Sequence, residues 1–383
     1  MRAALISISG SPVTLAGKTF ARRQLDFVLA AGCESVIALG DGGSAEAIAL
    51  RHAAEAAGAR FQAIRDSHGL LGAVRAEDEL LALAPGLLPE APAALEVLGK
   101  GKVVLVLPAG SGTAAGFERI DLERAWAGAL VVGGAHVERL SDLPADIEPA
   151  SALVRIALQG HVKERRLPDD LIADGSWTVL REGAVTPALE RDWLKRHLAV
   201  AMPWTPTRWL ATEALRPLAS RLLAAGRSVE ALAVGALVIL GSAILAAWLG
   251  VAALGFALVP VGAVLAQATA VLGGLRLAPF GRSRGKDLAA SLPWLTDAAL
   301  IACAVLVIEG NWLHRLFPPL VLLGALHASR GPGPRWLELA GDRSLIAAVF
   351  AIAAAFGLAE PAIMLVALAL IALNLAQSRA SRG

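Results

Sequence analysis

The chain has 383 residues, of which 56% are hydrophobic, with a mean hydropathy of +0.60, more apolar than soluble domains usually are. A formal net charge of +2 gives no ground for a nucleic-acid partner. The only two cysteines, Cys33 and Cys303, fall in different halves, which excludes a disulfide framework or a cysteine zinc site. The apolar excess lies toward the C-terminus, and the length allows two domains.

The opening run Ala3–Ile8 is apolar and ends in Ser9, Gly10, Ser11 and Pro12. It is too short for the apolar core of a signal peptide and reads as a buried strand. Phe20–Ala31 carries helical spacing, with Gly32 as its stop. Ser35–Leu39 is a second strand. Asp41, Gly42 and Gly43 form a turn, and Ser44 caps a helix over Ala45–Ala57. Phe61–Ile64, Val103–Leu107 and Ala129–Val132 are further strands. This alternation predicts a mostly parallel, Rossmann-like sheet with helices on both faces.

Ligands of such sheets bind at the C-terminal ends of strands. The loop after the first strand therefore supplies the nucleotide-site candidates Gly10, Ser11 and Lys18: glycine permits close backbone approach, and the lysine could meet a phosphate. The loop has neither the Walker spacing nor the dinucleotide pattern. The competing reading is a strand-to-helix turn with a solvated lysine. Pro108–Gly112 follows the strongest strand without an acid, and Glu118 and Asp121 beyond it read as surface charges.

Strand, glycine loop, then GKTFARRQLDFVLAAGCESVIAL together resemble the opening of the MobA-like nucleotidyltransferase (sugar-phosphate cytidylyltransferase) family, over about residues 1–190. The resemblance implies a cytosolic nucleotide-handling α/β domain, residues 1–200. In that family an Asp after a central strand holds magnesium. Here Gly110 or a neighbour stands in its place, and the loop is shortened.

Residues 168–204 are rich in charge and read as soluble. Residues 205–227 interleave Trp209, Leu210, Leu215, Leu222 and Leu223 with Arg208, Arg216, Arg221 and Arg227. That pattern predicts one amphipathic helix lying at a membrane surface, or alternatively one packed on the soluble domain. Six apolar runs follow within 228–378: Val229–Leu249, Val251–Gly274, Leu292–Ile308, Leu313–Leu326, Leu345–Leu358 and Ala362–Leu375. About 20 apolar residues match the hydrocarbon core, and hydrocarbon demands helices.

Alternate connections carry the positive charge. Arg276, Arg282, Arg284 and Lys286 follow the second run, Arg330, Arg335 and Arg343 follow the fourth, and Arg379 and Arg382 follow the sixth. Positive-inside bias then places both termini in the cytoplasm of a bacterial-type inner membrane protein with six spans. Asp297 lies one to two turns inside the third run. An acid there costs a few kcal/mol if it is unpaired at the midplane. It is the candidate catalytic residue, with Arg276, Arg282, Arg284, Lys286 and Asp287 as the surrounding substrate- or anion-binding set. The competing reading is a polar helix end that touches only solvent.

Residues 207–377, with the segment FGRSRGKDLAASLPWLTDAALIA, resemble the CDP-alcohol phosphotransferase family. The order of the two domains resembles the bifunctional inositol-phosphate cytidylyltransferase/phospho-di-inositol synthase. The resemblance implies an interfacial helix, six spans, a cytosolic-side site, a possible homodimer, and acids holding divalent metal against a pyrophosphate. Laid on that motif, Asp297 takes the last acid, while Leu272, Leu275 and Pro293 stand where other acids belong.

Two magnesium ions need several carboxylates. The expectation is therefore a membrane protein of lipid or phospho-alcohol head-group metabolism that binds or regulates. Its partners would be membrane lipids and a CDP-alcohol or other phosphate-bearing small molecule, with no assigned metal ligand and magnesium only if it is catalytic. The alternatives are an active transferase with a rearranged site and a membrane-anchored nucleotide or sugar-phosphate sensor.

Overall fold

A computed structural model describes residues 1–8, 14–180, 187–198, 201–280, 288–328 and 335–380. The chain forms two compact units, Met1–Trp193 with Ala278–Gly281, and Leu194–Leu277 with Arg282–Gly383.

The first unit contains strands β1 (Arg2–Ser7), β2 (Thr14–Leu15), β3 (Lys18–Thr19), β4 (Ser35–Leu39), β5 (Arg60–Ile64), β6 (Glu79–Leu83), β7 (Leu87–Pro89), β8 (Val103–Pro108), β9 (Arg124–Gly133), β10 (Glu164–Arg166) and β11 (Trp177–Val179). Its helices are α1 (Phe20–Ala30), α2 (Ala45–Ala56), α3 (Pro92–Leu98), α4 (Ala109–Ala114), α5 (Gly134–Glu138), α6 (Pro149–Gln159) and α7 (Asp170–Ala173), with α8 (Pro187–His197) at the boundary.

Seven strands make one mixed sheet in the order β10-β8-β9-β6-β1-β4-β5. β1 runs parallel to β4 and β6, β4 to β5, and β8 to β10, while β9 runs antiparallel to both β6 and β8. Ala3–Ile6 are buried without alternation, as expected of a strand covered on both faces. Ala129–Val132 prove to be part of the ten-residue β9, which turns at Gly128 (φ +80°), where an added Cβ would also press on Leu87. The central strand β6 has the sequence ELLAL, with no β-branched residue to mark it, yet it is sealed between β1 and β9.

The second unit is helical: α9 (Pro206–Leu215), α10 (Ala219–Ala224), α11 (Ser228–Trp248), α12 (Ala252–Leu277), α13 (Leu288–Val307), α14 (Trp312–Ala328), α15 (Arg335–Ala340), α16 (Arg343–Ala355) and α17 (Ala359–Ala380). Each of the six apolar runs is one helix. Among the described residues three are long and apolar enough to cross a membrane, namely α11, α12 and Ala359–Ser378 of α17, while Ser291–Val307 and Arg343–Ala355 are shorter apolar helices.

The single amphipathic helix expected over 205–227 is two helices. Pro217 offers no N–H to the turn before it and its ring crowds the preceding carbonyls, so α9 ends at Leu215 and α10 begins at Ala219. α9 turns Ala211 and Leu215 toward Ala268, Val264 and Val271 of α12.

Small residues bring α11 and α12 together. A Cβ on Gly262 would stand 2.6 Å from Leu240 Cδ2, and one on Gly255 2.9 Å from the Ala243 carbonyl. This close backbone approach is the usual means of joining helices where no hydrophobic drive operates between them. Phe256 and Phe350, with ring centroids 5.4 Å apart, centre a core shared with Leu300, Cys303 and Ile363.

Candidate functional site

Asp297 follows Thr296 on α13, and both are buried, Asp297 being 2% exposed. Its Oδ1 accepts from Arg343 Nε at 2.9 Å, and its Oδ2 lies 3.5 Å from Nη2. Arg343 Nη1 donates to the Gly341 carbonyl at 2.9 Å, which fixes the guanidinium at the start of α16. The sequence neighbourhood suggested that Asp297 would meet the cations following α12. Among the described residues it pairs with Arg343, from the basic connection after the fourth run. An acid this deep needs a cation it can reach, and helix packing supplies one from a distant segment.

Arg276 faces elsewhere. It donates to the Gly226 carbonyl, to Ser228 Oγ at 3.2 Å and to the Glu230 carboxylate at 3.4 Å, tying the end of α12 to the start of α11. Arg282, Arg284, Lys286 and Asp287 lie outside the described residues, as do Gly10 and Ser11.

Asp342 caps α16. Its Oδ1 accepts from the backbone N–H groups of Ser344 (2.9 Å) and Leu345 (3.3 Å) and from Thr207 Oγ1 (2.6 Å), while Oδ2 accepts from Thr207 N (3.0 Å). Ser344 Oγ lies 2.7 Å from the same Thr207 hydroxyl. One carboxylate thus closes the N-terminus of α16 and fastens the start of α9 to it. An Asp immediately before an apolar helical run is a readable cap signal, but its second role at Thr207 has no sequence signature.

These contacts frame a cavity of about 350 Å³ lined by Arg208 of α9, Gln267 of α12, Pro293 and Thr296 of α13, Glu338 of α15, and Asp342 and Arg343, among others. Arg335, stacked 4.3 Å over the Trp204 ring, ties α15 to the segment before α9. Among the described residues, no three His, Cys, Asp or Glu side chains gather as metal ligands would.

In the first unit Lys18 is not solvated. It sits on the hairpin β2–β3, which turns through Ala16 (φ +49°) and Gly17 (φ +76°). Its Nζ meets Asp26 Oδ2 at 2.6 Å, and Arg22 Nε meets Oδ1 of the same carboxylate at 3.1 Å. Burial lowers the Lys18 pKa against the opposing pull of Asp26.

Glu118 and Asp121 are surface charges with local partners. Glu118 accepts from Ser151 Oγ at 2.6 Å. Asp121 is held down at about 2, chiefly by the Arg124 guanidinium and then by the Glu123 backbone N–H. The Pro108–Gly112 stretch runs straight into α4, where Gly112 sits so close to Ala125 that a Cβ would come within 2.7 Å.

Sequence reasoning missed Arg343 as a partner of Asp297. It also missed Thr207, Gln267, Glu338 and Asp342, whose polarity becomes informative only once the helices are packed. No family model and no curated protein matches this chain.

Proposed function

We propose that this chain is a multi-pass membrane protein that holds a phosphate-bearing head group in the cavity of its helical unit. It serves lipid or phospho-alcohol head-group metabolism by binding rather than by transfer. The observation that carries the reading is the cavity itself: two arginines, an amide and threonine hydroxyls line it within an otherwise apolar set of helices. Concave sites with a few placed polar groups are the usual form of small-ligand sites, and arginine forks suit phosphate oxygens.

Burial of all six helices in a bilayer is supported by their outer surface. Val238, Leu245, Leu254, Ile352, Leu365 and Leu368 are exposed, more apolar surface than a water-facing unit carries. Exposed Trp248, Trp312 and Phe356 stand at one set of helix ends, and exposed Trp209, Trp294 and Trp336 belong to elements at the other, as interfacial aromatics do. The basic connections then favour cytoplasmic termini.

A binding role is supported by what occupies the positions of the resembled CDP-alcohol phosphotransferase motif. Leu272 and Leu275 are buried apolar residues there, and two acids at or beside the cavity, Asp297 and Asp342, are already engaged by Arg343 and by Thr207 with the α16 backbone, which leaves Glu338 alone, too few carboxylates for a pair of metal ions. The engagement of Lys18 by Asp26 likewise supports a first unit that transfers no cytidylyl group.

The test uses the full chain in detergent or liposomes. Phosphate and glycerol 3-phosphate should raise its melting temperature without magnesium, and CDP-diacylglycerol should yield no CMP with or without it. Magnesium-dependent CMP release that disappears in Asp297→Asn would replace this reading with that of a transferase with a rearranged site.

A further inference from the structure

Two opposite charges line the cavity without a protein partner. Among the described residues, neither the Arg208 guanidinium nor the Glu338 carboxylate makes an ion pair or a side-chain hydrogen bond, with each other or with anything else, and the Gln267 amide is equally unengaged. The remaining charges on this wall are spoken for: Arg343 by Asp297, and Asp342 by Thr207 and the cap of α16.

Arg208 is exposed on the first turn of α9, whereas Glu338 is half-buried on α15, and both line the cavity. A half-buried carboxylate facing a cavity is costly while it lacks a cation. A simple phosphate would satisfy Arg208 and be repelled by Glu338. A ligand bearing an anion and a cation a few bonds apart would satisfy both, and the amide of Gln267 can donate to or accept from the atoms between them.

We propose that the ligand of this cavity is a zwitterionic phosphoryl amine, with its phosphate on Arg208 and its protonated amine on Glu338. This rests on the reading of the cavity as a head-group site and narrows it from phosphate esters in general to amine-bearing ones. The same chemistry occurs in a free amino-alcohol phosphate and in the head group of an aminophospholipid.

Calorimetric titration of the purified full chain in detergent separates these cases. The ligands are phosphoethanolamine, glycerol 3-phosphate, inorganic phosphate, ethanolamine and a short-chain phosphatidylethanolamine. Phosphoethanolamine should bind at least about tenfold tighter than glycerol 3-phosphate or phosphate, since a charge-assisted hydrogen bond is worth roughly one to two decades of affinity. Glu338→Gln should erase that preference while leaving phosphate binding in place. Arg208→Gln should weaken every phosphate ligand by about tenfold or more. Tighter binding of the short-chain lipid than of phosphoethanolamine would assign the ligand to the bilayer, and the reverse to the soluble pool.

Equal affinity for phosphoethanolamine and glycerol 3-phosphate in the wild-type protein overturns the inference while the head-group reading stands, and this comparison needs no variant to fold. Absence of binding by every phosphate ligand overturns the head-group reading and the inference with it.

Discussion

Asp297 and Arg343 stand 46 residues apart in the chain and meet at 2.9 Å, joining α13 to the first residue of α16. Asp297 is buried, while the Arg343 side chain keeps 23% of its surface exposed, so the pair is buried at one end and wet at the other. That geometry lets an ion pair sit where a lone carboxylate would be disfavoured, because the arginine keeps part of its hydration while it neutralises the acid.

The pair should therefore be energetically coupled. In a double-mutant cycle of Asp297→Asn and Arg343→Gln, each single change should destabilise the protein, and the double variant should be less damaged than their sum. The expected coupling is about 0.5–3 kcal/mol. Additive effects in reversible detergent unfolding would show that the two side chains are neighbours without interaction.

The cap at Asp342 should matter more than the hydroxyl it accepts. Asp342→Ala removes the cap of α16 and both contacts to Thr207, whereas Thr207→Val keeps the cap and the backbone N–H contact. We expect a loss of about 1–3 kcal/mol for Asp342→Ala, and about 1 kcal/mol for Thr207→Val. Thermal melts that rank the two variants the other way would refute the assignment of Asp342 as the fastener between α9 and α16.

Cys33 lies in the core of the first unit, where burial pushes its thiol up to about 12 from the ordinary 9.0, with Arg2 opposing and Glu34 adding slightly. Alkylating reagents at neutral pH should leave it unlabelled until the chain is unfolded, because the thiolate is the nucleophile. The sign for stability follows from proton binding. Between about pH 9 and 12 the unfolded thiol releases its proton while the folded one holds it. This group therefore lowers stability as pH rises, by at most about 1.4 kcal/mol per pH unit. Cys33→Ala should flatten the alkaline decline, and an unchanged slope would show that Cys33 plays no part in it.

Topology is open to a direct test. A reporter fused after residue 383 should share the side of one fused before Met1, and a reporter at Asn311, between α13 and α14, should lie on the other. A periplasmic C-terminus would overturn the six-span arrangement.

Much of the fold was legible in the chain because its signals are local. Ser44 caps α2 by accepting from Ala47 N at 3.1 Å, as a serine before a helical run should. The uninterrupted burial of β1 and the length of α11 and α12 likewise follow from short stretches of residues. The strand β6 was not legible, since ELLAL leans toward helix and only its place between β1 and β9 makes it a strand. The amphipathic stretch 205–227 reads as one helix but forms two, because its alternation of leucine and arginine continues through a proline that the backbone cannot follow.

The candidate site divides along the same line. The sequence alone determined that an acid, Asp297, stands inside an apolar helical run, where a carboxylate is costly unless water or a cation meets it. Only the tertiary structure brought Arg343 to it. Arg276, closer along the chain, is drawn to the carbonyl and carboxylate at the start of α11, while packing of α16 on α12 and α13 carries Arg343 to Asp297. It also decided that Arg208 and Glu338, unremarkable in the sequence, face one cavity without partners. The physical reason is range: helix periodicity and capping act over three or four residues, whereas a binding site is set by which helix faces meet.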